Sequence, residues 1–439
     1  MSSSLHSNPV PPKNIIISHV YSSDNKGDAA LTSVLIADLR RKFPKAKITI
    51  LKLEGAAPSG RFEGVREKPS FMYYVAHKYN NPVLKLVYAL YMMSATLAWA
   101  IMYQGTGKFL YLPTHLREIV HMYEQADLIV PVGGGYIRGR KGLAMRFNVP
   151  LLLHPLLFGY LLGIPTVLYA QSIGPFVNRY EGPLVAFVLR RMTLVLLRED
   201  TSVALLKKLG VTRNVQRAID SGFLLNTTDR IPLRRHYQIP AGKLLVGVTV
   251  RSWLTGEAQT KYEKAVARAL DHLVETARAH IVFIPQVTAA KGDDDRVVSR
   301  RVRDHMQHQE STIVINQTPD HHQIKAIYDN LDILLGTRFH SVIFSLTSRV
   351  PVLALEYEHK TSGIMRDLKL EQWVIKIEDV TAQKLASLLD KLIRDQDLYR
   401  AHLRKHLPHY IQKAQRTADL LEHAYYANKG LQTPTPDLE

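Results

Sequence analysis

The chain has 439 residues, of which 46% are hydrophobic, and this length favours two or three domains because one hydrophobic core rarely serves so many residues. It contains no cysteine, which excludes a disulfide framework, a thiolate zinc site and a cysteine nucleophile. The net charge of +18 favours an acidic partner: nucleic acid, an anionic membrane face or a phosphorylated substrate. Nucleic acid is disfavoured because the basic residues are dispersed and no RNP-type aromatic run, zinc-finger spacing or basic heptad region is present.

In the first half of the chain, short β-rich runs alternate with helical patterns. Residues 1–13 carry neither the charged nor the apolar region of a secretory signal, so we expect a loose arm on a cytoplasmic protein. Residues 14–18, 29–41 and 47–51 then predict a strand, a helix and a strand, which is a βαβ unit. Further strands are predicted at residues 128–132, 166–170, 193–197 and 216–219. We expect one parallel sheet in a Rossmann-like domain over residues 14–232.

Within this domain, residues 83–103 form an apolar run long enough to cross a bilayer, which takes about 20 residues. We exclude a crossing because it would place two strands of the same sheet on opposite sides of the membrane. Two alternatives remain open. The run is a helix of the domain interior, or it lies in the interface of the inner membrane face, where Lys85, Lys108 and Arg117 would meet lipid phosphates.

In the second half of the chain the alternation restarts. Strands are predicted at residues 244–250, 281–285, 312–316, 333–335, 351–355 and 373–377. They indicate a second doubly wound domain over residues 236–380, followed by helices at 382–428 and a polar tail at 429–439. The predicted fold class is therefore α/β, with two Rossmann-like doubly wound domains that face each other across a cleft.

The loops after the strands supply the candidate ligand residues, because open α/β sheets bind their ligands at the carboxyl ends of the strands. Asn25, Gly27 and Asp28 follow the first strand and precede a helix. The backbone amides at this helix start are predicted to receive an anion at the positive end of the helix dipole. The alternative for Asp28 is that it only caps the helix.

Three consecutive glycines, Gly133, Gly134 and Gly135, predict a second loop that allows close approach of a ligand to the backbone. This segment is not a dinucleotide fingerprint, because Arg138 stands where the third glycine would be required. Residues 102–108 likewise lack the first glycine of a P-loop. Both nucleotide motifs are therefore absent from the sequence.

Polar residues also follow later strands of both domains. In the first domain these candidates are Gln171, Ser172, Gly174 and Arg198. In the second domain they are Arg251, Gln286 and Glu356. Arg198 is predicted to bind a carboxylate or phosphate through two parallel hydrogen bonds. The alternative is that it pairs with Glu199 or Asp200 at the start of the next helix.

The tripeptide Arg338-Phe339-His340 places a cation and a proton donor at the carboxyl end of a predicted strand. Such a pair suits acid-catalysed chemistry on an anionic substrate. The alternative is that Arg338 pairs with a carboxylate and His340 is a core imidazole. The run Asp293-Asp294-Asp295 is predicted to be a solvated loop rather than a metal site, because three consecutive carboxylates cannot all face one ion.

Taken in chain order, six segments resemble the signature of the polysaccharide pyruvyl transferase family. They are Asp24-Asn-Lys-Gly-Asp28, Val132-Gly-Gly-Gly135, Gln171-Ser-Ile-Gly-Pro175, Leu197-Arg-Glu-Asp200, Asp220-Ser-Gly-Phe-Leu-Leu225 and Gly336-Thr-Arg-Phe-His-Ser341. The resemblance covers residues 14–380 and implies a glycosyltransferase-B-like fold. It also implies phosphoenolpyruvate as the donor, whose pyruvyl group is installed as a ketal across two hydroxyls of one sugar.

The resemblance further implies that Arg338 and Arg198 bind the donor and that His340 is the acid. Ser341, which follows His340, is a further candidate for substrate binding. Phosphoenolpyruvate carries a carboxylate and a phosphate of about −1.5 to −2 charge. Two arginines can bind these anionic groups, and no pocket for a base or a ribose is needed. Protonation of the donor's methylene carbon by His340 would create an oxocarbenium-like centre at C2 for a sugar hydroxyl to attack. Neither a cofactor nor a metal ion is expected.

Two other functions remain open at the level of the sequence. A nucleotide-sugar-dependent glycosyltransferase would share the architecture but not the donor. A non-enzymatic, membrane-associated scaffold would bind glycolipid or vesicles without binding phosphoenolpyruvate. The acceptor sugar, and whether a lipid carries it, are also left open.

Overall fold

In the computed structural model, residues 10–21, 24–53, 62–106, 112–142, 145–288 and 294–432 are described. The strands of this part are β1 (Asn14–Val20), β2 (Lys47–Lys52), β3 (Arg66–Pro69), β4 (Leu128–Pro131), β5 (Gly134–Ile137), β6 (Val167–Ile173), β7 (Leu194–Leu197), β8 (Val215–Arg217), β9 (Leu244–Thr249), β10 (Ala279–Phe283), β11 (Thr312–Val314), β12 (Ile333–Gly336), β13 (Val352–Glu356) and β14 (Val374–Lys376).

The helices alternate with these strands, as a doubly wound fold requires. They are α1 (Lys26–Lys42), α2 (Phe71–His77), α3 (Pro82–Thr106), α4 (Thr114–Glu124), α5 (Asn148–Leu161), α6 (Glu181–Leu189), α7 (Asp200–Lys208), α8 (Leu233–His236), α9 (Gly256–Ala277), α10 (Asp295–Asp304), α11 (His321–Tyr328), α12 (Phe339–Thr347), α13 (Lys360–Asp367), α14 (Ala382–Arg394) and α15 (Gln396–Asn428). Short 3₁₀ helices lie at Ser221–Leu224, Gln309–Ser311, Glu371–Trp373 and Ile377–Asp379.

The chain divides into two compact units that are not contiguous in sequence. Unit 1 takes its described residues from Met1–Ser22, Leu31–Ser221 and Gln415–Glu439. Unit 2 takes them from Ser23–Ala30 and Gly222–Ala414. This division differs from the predicted boundaries 14–232 and 236–380 at three places: residues 24–30 and residues 222–232 group with unit 2, and the end of α15 groups with unit 1.

Unit 1 contains two parallel four-stranded sheets, in the orders β3-β2-β1-β4 and β5-β6-β7-β8. A parallel bridge between Ile129 and Thr166 lies where the two sheets adjoin, so the single predicted sheet is interrupted at this point. β1, β4, β6 and β7 are almost wholly buried, because helices cover both faces of the parallel strands. The short strand β3 was not predicted, since its sequence Arg-Glu-Lys-Pro lacks the apolar residues that favour a strand.

The sheet of unit 2 has six parallel strands in the order β11-β10-β9-β12-β13-β14. The chain first builds outward from β9 through β10 to β11, and then returns to the other side of β9 with β12. The boundary between β9 and β12 is therefore the topological switch point, where open α/β sheets leave a crevice at the carboxyl ends of their strands. This sheet geometry positions the residues described below.

Helix α3 contains most of the apolar run 83–103 and presents two different faces. One face is buried in the core of unit 1 and comprises Tyr88, Ala89, Met92, Thr96, Trp99 and Ala100. The opposite face exposes Val83, Leu84, Val87, Leu90, Tyr91, Ile101 and Met102. Among the described helices, α3 alone is long and apolar enough to cross a membrane by length and composition, and 33% of its most apolar window is buried. The interior alternative thus describes the buried face of this helix, and for the exposed face the interface alternative stays a prediction.

The predicted helical region 382–428 is not a separate unit. Helix α14 packs against α9 in unit 2, whereas Leu421, Tyr425 and Tyr426 near the end of α15 belong to the core of unit 1. Residues 429–432 of the predicted tail are described, and residues 433–439 lie outside the described part. Residues 1–9 of the predicted arm also lie outside it, as do Lys108 and Asp293.

Candidate active site

The tripeptide Arg338-Phe339-His340 lies at the switch point of the unit 2 sheet. β12 ends at Gly336, and Arg338 then adopts an extended backbone at the start of α12, so His340 falls in the first turn of this helix. Thr249, at the end of the neighbouring β9, holds the turn: its Oγ1 accepts the Thr337 N–H at 2.9 Å and the Arg338 N–H at 3.3 Å. The prediction that this segment sits at the carboxyl end of a strand is therefore met by the geometry.

Ser341 stabilises the same turn from its other side. Its hydroxyl donates to the Arg338 carbonyl at 2.5 Å and lies 2.8 Å from Oγ1 of Thr249. Ser341 is completely buried, so its hydroxyl serves the backbone of the turn. The structure accordingly gives Ser341 a positioning role in this turn, and the substrate contact expected from the sequence stays a prediction.

The Arg338 guanidinium is held by a buried carboxylate that the sequence did not reveal. Nε of Arg338 lies 3.1 Å from both carboxylate oxygens of Asp295, and Nη2 lies 2.5 Å from Oδ1. Burial raises the pKa of Asp295 above its ordinary value, and the charge of Arg338 opposes that shift. Arg338 therefore does pair with a carboxylate, as the alternative expected. The pair also fixes the direction of the guanidinium.

The expected solvated loop of aspartates is wrong for the two described members. Asp294 caps helix α10 by accepting the Arg296 N–H, and it also pairs with the Arg296 side chain. Asp295 begins α10, is only 1% exposed, and its Oδ2 accepts the N–H groups of Gln286 at 2.9 Å and Val287 at 3.0 Å. The helix start lowers the cost of burying these acids because their charge meets unpaired N–H groups and basic partners.

The ring of half-buried His340 packs against Gly27, which also belongs to unit 2. A Cβ atom built on Gly27 would overlap the His340 imidazole. The segment around Gly27 is fixed in unit 2 by the Lys26 N–H, which donates to the Gln286 carbonyl at 3.0 Å, and by a backbone bridge between Asn25 and Val287. The space left by the missing side chain of Gly27 is thus filled by the His340 imidazole.

The predicted anion site at the start of α1 needs correction, because the protein itself satisfies the amides of this helix start. Oδ1 of Asn25 accepts the N–H groups of Gly27 at 3.1 Å and Asp28 at 3.4 Å, and its Nδ2 donates to Oδ2 of Asp28 at 2.9 Å. The Ala29 N–H donates to the Asn25 carbonyl at 3.0 Å. Because the first amides of the helix are satisfied within the protein, Asn25 is the cap, and Asp28 stabilises the cap instead of facing an anion.

The remaining unit 2 candidates lie around the same strand ends. Gln286 follows β10; its Nε2 donates to the Tyr328 hydroxyl at 3.0 Å, while its buried Oε1 has no partner among the described residues. Glu356 ends β13 and accepts the Ser362 N–H at 3.3 Å, which ties it to α13. Arg251 follows β9 and lies over the rings of Trp253 and Tyr357, neither of which sequence reasoning had selected.

In unit 1, Arg198 follows β7 and is 3% exposed. Its Nη1 donates to Oδ2 of Asp220 at 2.6 Å, and its Nε donates to the Ser172 hydroxyl at 2.8 Å. Of the acids in the predicted alternative, Glu199 accepts the Ser202 hydroxyl and Asp200 pairs with Arg217. Arg198 is therefore a buried, oriented cation whose carboxylate partner comes from the segment after β8.

The glycine segment packs against β6 next to Arg198. Gly134 and Gly135 lie in strand β5, so the predicted loop is wrong here; β5 pairs with β6 through Gly134 and Gln171. A Cβ at Gly133 would come within 2.9 Å of the Tyr169 carbonyl, and one at Gly135 would lie 3.6 Å from Nη2 of Arg198. These glycines thus permit close packing of two strands beside the arginine.

Gln171 and Ser172 lie inside β6, not in the loop after it, because β6 continues to Ile173. Nε2 of buried Gln171 donates to the Val132 carbonyl and to the Tyr136 hydroxyl, whereas its Oε1 has no partner among the described residues. Gly174 adopts a φ of +79°, which favours glycine, and its N–H donates to the Ile137 carbonyl at 2.9 Å. Gly174 is therefore a turn residue.

A buried histidine at the end of β1 was missed. His19 adopts a left-handed φ of 63° and stacks on Tyr136 of β5 with ring centroids 4.9 Å apart. Its Nε2 lies 2.7 Å from the Leu152 carbonyl, and burial lowers its pKa to about 4. The imidazole is thus a neutral support for the glycine segment. The sequence could have indicated His19 as a candidate, because it lies at the carboxyl end of a predicted strand.

The candidates therefore form one set in each unit. The unit 1 set is Gly133, Gly134, Gly135, Gln171, Ser172 and Arg198. The unit 2 set is Asn25, Gly27, Asp28, Arg251, Gln286, Arg338, His340, Ser341 and Glu356. Within the described ranges no group of three or more His, Asp or Glu side chains could hold a metal ion.

Comparison with known proteins identifies first the fold and then the family. Solved structures with the same glycosyltransferase-B-like architecture include a UDP co-structure of MnaA from S. aureus, with 12% identity, a TM-score of 0.60, and 97% of this chain and 99% of that chain covered. A putative UDP-N-acetylglucosamine 2-epimerase from Listeria monocytogenes has 10% identity, a TM-score of 0.62 and the same coverage. A Rickettsia africae glycosyltransferase has 11% identity, a TM-score of 0.56, and coverage of 95% and 99%. Identities this low establish the fold alone.

The family model described as polysaccharide pyruvyl transferase matches residues 25–359, so the chain belongs to the polysaccharide pyruvyl transferase family. The amylovoran biosynthesis protein AmsJ of Erwinia amylovora is 25% identical over 369 residues, which cover 81% of this chain and 86% of that protein. The predicted family is thereby confirmed, and the chain is a transferase of polysaccharide biosynthesis with a glycosyltransferase-B-like fold.

Proposed function

We propose that the protein transfers the pyruvyl group of phosphoenolpyruvate onto two hydroxyls of one sugar, forming a pyruvate ketal and releasing phosphate. The observation that carries the proposal is the placement of His340 at the switch point of unit 2, against Gly27 and two residues after Arg338. A proton donor and a cation two residues apart at one strand end suit a donor that is anionic and must be protonated on carbon. The proposed acceptor is a sugar of a polysaccharide, an oligosaccharide or a glycolipid, and the family description, polysaccharide pyruvyl transferase, supports a polysaccharide sugar.

The bonds of the proposed reaction balance without a cofactor. His340 gives a proton to the methylene carbon of the donor, which becomes a methyl group, and C2 becomes oxocarbenium-like. One sugar hydroxyl adds to C2 and loses its proton; the bond between C2 and the phosphate oxygen then breaks, and phosphate leaves with the electron pair. The second hydroxyl bonds to C2 and loses its proton, which closes the ketal ring. One of the two released protons restores His340.

Arg198 and Arg338 are proposed to bind the donor, and the carboxylate partner of each arginine fixes the direction in which its guanidinium points. Asp295 fixes the guanidinium of Arg338, and Asp220 with Ser172 fixes that of Arg198. A guanidinium held in one direction loses little conformational entropy when an anion binds to it. We expect charge-assisted hydrogen bonds from each arginine to the carboxylate or phosphate of phosphoenolpyruvate.

The test of the proposed function is a donor comparison with purified protein. Phosphoenolpyruvate and a panel of nucleotide sugars are each incubated with glycolipid and oligosaccharide acceptors, and phosphate release and acceptor mass are measured. The proposal expects phosphate release from phosphoenolpyruvate together with an acceptor that gains one pyruvate ketal. Sugar transfer from a nucleotide sugar with phosphoenolpyruvate untouched would establish the glycosyltransferase alternative. Acceptor binding without turnover of either donor would establish the scaffold alternative.

We further propose that the exposed face of α3 contacts an anionic bilayer at the cytoplasmic side of the membrane, where a lipid-linked acceptor would be presented. Val83, Val87 and Ile101 on this face are each more than half exposed. Cations lie beside the helix in the same unit: Lys78 precedes it, and Lys85 belongs to its first turns. An apolar stripe flanked by cations on a chain of net charge +18 matches an anionic lipid surface.

A further inference from the structure

A second apolar surface of unit 1 lies on α5 and α6, the helices that precede and follow β6 in the chain. Along residues 180–191, every side chain that is not buried is apolar, aromatic or basic: Tyr180, Pro183, Leu184, Phe187, Arg190 and Arg191. Their spacing places them on one face of the helix, and the opposite face, with Val185, Val188 and Leu189, is buried in the core of unit 1. A helix face in contact with water normally carries polar side chains, so this apolar face indicates a partner.

Contacts at both ends join α6 to α5. Where the two helices begin, the Tyr180 hydroxyl donates to the carbonyl of Arg146, which precedes α5. Where they end, the guanidinium carbon of Arg191 lies 3.7 Å from the ring centroid of Phe187 and 5.7 Å from that of Tyr160. We call this surface the α5–α6 face. Its large exposed side chains, each between 38% and 49% exposed, are Met145, Phe147, Tyr160, Val177, Tyr180 and Phe187.

The chain segment that builds this face is strongly basic. Residues 128–198 contain eight lysine and arginine residues and one acid, Glu181. Glu181 is completely buried, and its carboxylate accepts the N–H groups of Val177 at 2.7 Å and Asn178 at 3.0 Å. The exposed cations of the segment are Arg140, Lys141, Arg146, Arg179 and Arg190. No acid of the segment opposes these cations at the surface, so the face attracts an anionic partner.

The composition of the face distinguishes among anionic partners. A second copy of the chain would bring the same cations to the interface, and like charges across an interface cost free energy. A sugar polymer offers hydroxyl groups, whereas Met145, Phe147, Val177 and Phe187 have no side-chain group that can hydrogen-bond to them. An anionic bilayer offers an acyl boundary for the apolar side chains and phosphates for the cations. The side chains of the face therefore match a lipid surface best.

We propose that the α5–α6 face docks on an anionic lipid bilayer, with Val177 and Phe187 in the acyl boundary and Arg146 and Arg179 at the lipid phosphates. α5 also packs against α3, where Oγ1 of Thr96 lies 2.8 Å from Nε2 of His154. The face is thus carried by neighbours of the helix whose exposed side is proposed above to touch the membrane. Two contacts matter because one weak membrane signal gives only reversible binding.

The inference rests on the proposed function only for its purpose, the presentation of a lipid-linked acceptor. The side chains that carry it belong to α5, α6 and the segments that lead to them, and none belongs to α3. The two membrane contacts can therefore be removed one at a time. Neither Val177 nor Phe187 is among the candidate residues for donor binding or proton transfer, so transfer to a soluble oligosaccharide should not depend on them.

Sedimentation of the full chain with vesicles measures the contact. The vesicles contain phosphatidylcholine alone or phosphatidylcholine with phosphatidylglycerol, and we expect strong binding to the second kind only. Arg146→Gln combined with Arg179→Gln should weaken this binding about fivefold for each arginine lost. Val177→Ser combined with Phe187→Ser should weaken it about tenfold or more, because two apolar side chains are no longer buried in lipid.

Two matched controls change similar side chains of unit 1 outside the face. Arg213→Gln removes an exposed arginine, and Val10→Ser replaces an exposed valine; vesicle binding should be unchanged in both. Thermal unfolding checks that each variant is folded. If the variant with Phe187→Ser fails to fold, Val177→Asp, which places a charge against the lipid, tests the apolar contact.

The proposal is overturned when the parent binds both kinds of vesicle equally or binds neither, or when both double variants sediment as the parent does. It is also overturned when Val177→Ser combined with Phe187→Ser leaves vesicle binding intact but dissociates a dimer in analytical ultracentrifugation, or releases the protein from heparin. These outcomes would assign the face to a second copy of the chain or to an acidic polysaccharide.

Replacement of Val87, Leu90 and Ile101 of α3 by serine separates the two membrane contacts. Loss of binding in this variant alone keeps the contact of α3 and removes that of the α5–α6 face. Loss of binding in the α5–α6 variants alone does the reverse. Transfer from phosphoenolpyruvate to a soluble oligosaccharide is measured in parallel. Vesicle binding by a parent that transfers nothing would contradict the proposed reaction and leave the docking surface standing.

Discussion

His340 can occupy its observed position only because residue 27 has no side chain. Gly27→Ala is expected to displace the imidazole and to lower the rate of transfer at least about tenfold, since small displacements of a catalytic group have large effects on rate. The measurement is the turnover of phosphoenolpyruvate with acceptor. Gly363→Ala is the matched control, because a Cβ there meets no atom within 4 Å and the residue also lies in a helix of unit 2. Equal rates in the two variants would remove the role of Gly27 as the seat of His340.

Arg338 and Asp295 should couple the stability of unit 2 to pH. Arg338→Met leaves a buried carboxylate without its cation, and we expect a loss of about 3–5 kcal/mol in the free energy of unfolding at pH 7. The native pKa of Asp295 is already above its ordinary value of 3.8, so the native state binds the proton more tightly than the unfolded state. Stability from this group is therefore present at low pH and falls as the pH rises through the interval between those two pKa values.

Removal of Arg338 should raise the native pKa of Asp295 further, because the cation no longer opposes the effect of burial. The pH interval over which Asp295 affects stability then extends to higher pH. The destabilisation caused by Arg338→Met should thus shrink as the pH is lowered from 7 towards 4, as measured by urea unfolding at several pH values. The double variant Arg338→Met, Asp295→Asn should lose this pH dependence. A destabilisation that stays constant over the range would show that the Asp295 carboxylate is not the group left uncompensated.

Arg198 offers a comparison in which the charge is kept. Arg198→Lys retains a cation near Asp220 but removes the planar fork that also reaches Ser172. We expect donor binding to weaken by about 1.5–3 kcal/mol, measured by calorimetry with phosphoenolpyruvate. Arg217→Lys, which changes an arginine that pairs with Asp200 instead, should leave donor affinity unchanged. Parent-like affinity for Arg198→Lys would assign Arg198 to the structure of unit 1 alone.

At the residue scale, the sequence predicts what is local along the chain. Arg338 and His340 follow their strand directly, so the alternation of strands and helices places both at a carboxyl end. Asp295, by contrast, is 43 residues from Arg338 in sequence, and the two meet because the start of α10 is held beside Gln286 and Val287, the residues after β10. Tyr357 was missed for the same reason, because its contact with Arg251 joins residues that follow two different strands, β13 and β9.

At the element scale, pairing between strands overrides local preference. The three glycines predict a loop because glycine has a low strand propensity, yet the register with β6 makes Gly134 and Gly135 part of β5. The same pairing continues β6 through Gln171 and Ser172. For α3, the apolar composition predicts the helix, but it does not predict which of the two apolar faces is buried.

The exposed face of α3 allows the membrane contact to be tested without disturbing the core. Val87, Leu90 and Ile101 are 58%, 44% and 60% exposed, and their combined replacement by serine should release the protein from anionic vesicles while its thermal unfolding stays close to that of the parent. Leu97 is left intact because it packs partly against the core. The measurement is sedimentation with vesicles, at low salt and at high salt with mild detergent.

Met92, on the buried face of α3, is the matched control for this variant. It is 1% exposed, so Met92→Ser should destabilise the protein, by about 2–5 kcal/mol if its cost resembles that of other large-to-small core changes. Unfolding or aggregation of the triple variant, with a parent that does not sediment with vesicles, would mean that the exposed face serves the soluble protein and that the proposed membrane contact is wrong.

At the scale of the whole molecule, two groupings could not be read from the order of the sequence. Residues 24–30 belong with unit 2 although they follow the first strand of unit 1, and the end of α15 belongs with unit 1 although it follows unit 2. Both depend on long-range contacts, such as the donation of the Lys26 N–H to Gln286 and the packing of Tyr425 with Phe43. The α/β class and the family, which depend on repeated local patterns and on motif order, were predicted correctly.

The most direct test of the central claim uses phosphoenolpyruvate labelled in its pyruvyl group, with parent protein, His340→Ala and an acceptor extract containing lipid-linked oligosaccharides. The account predicts that label enters the acceptor together with one phosphate released, and that His340→Ala lowers this rate by about 10²- to 10⁴-fold while donor affinity changes only a few-fold, because a general acid acts in the transition state. An acceptor that stays unlabelled with the parent protein, or a His340→Ala variant with near-normal transfer, would contradict it.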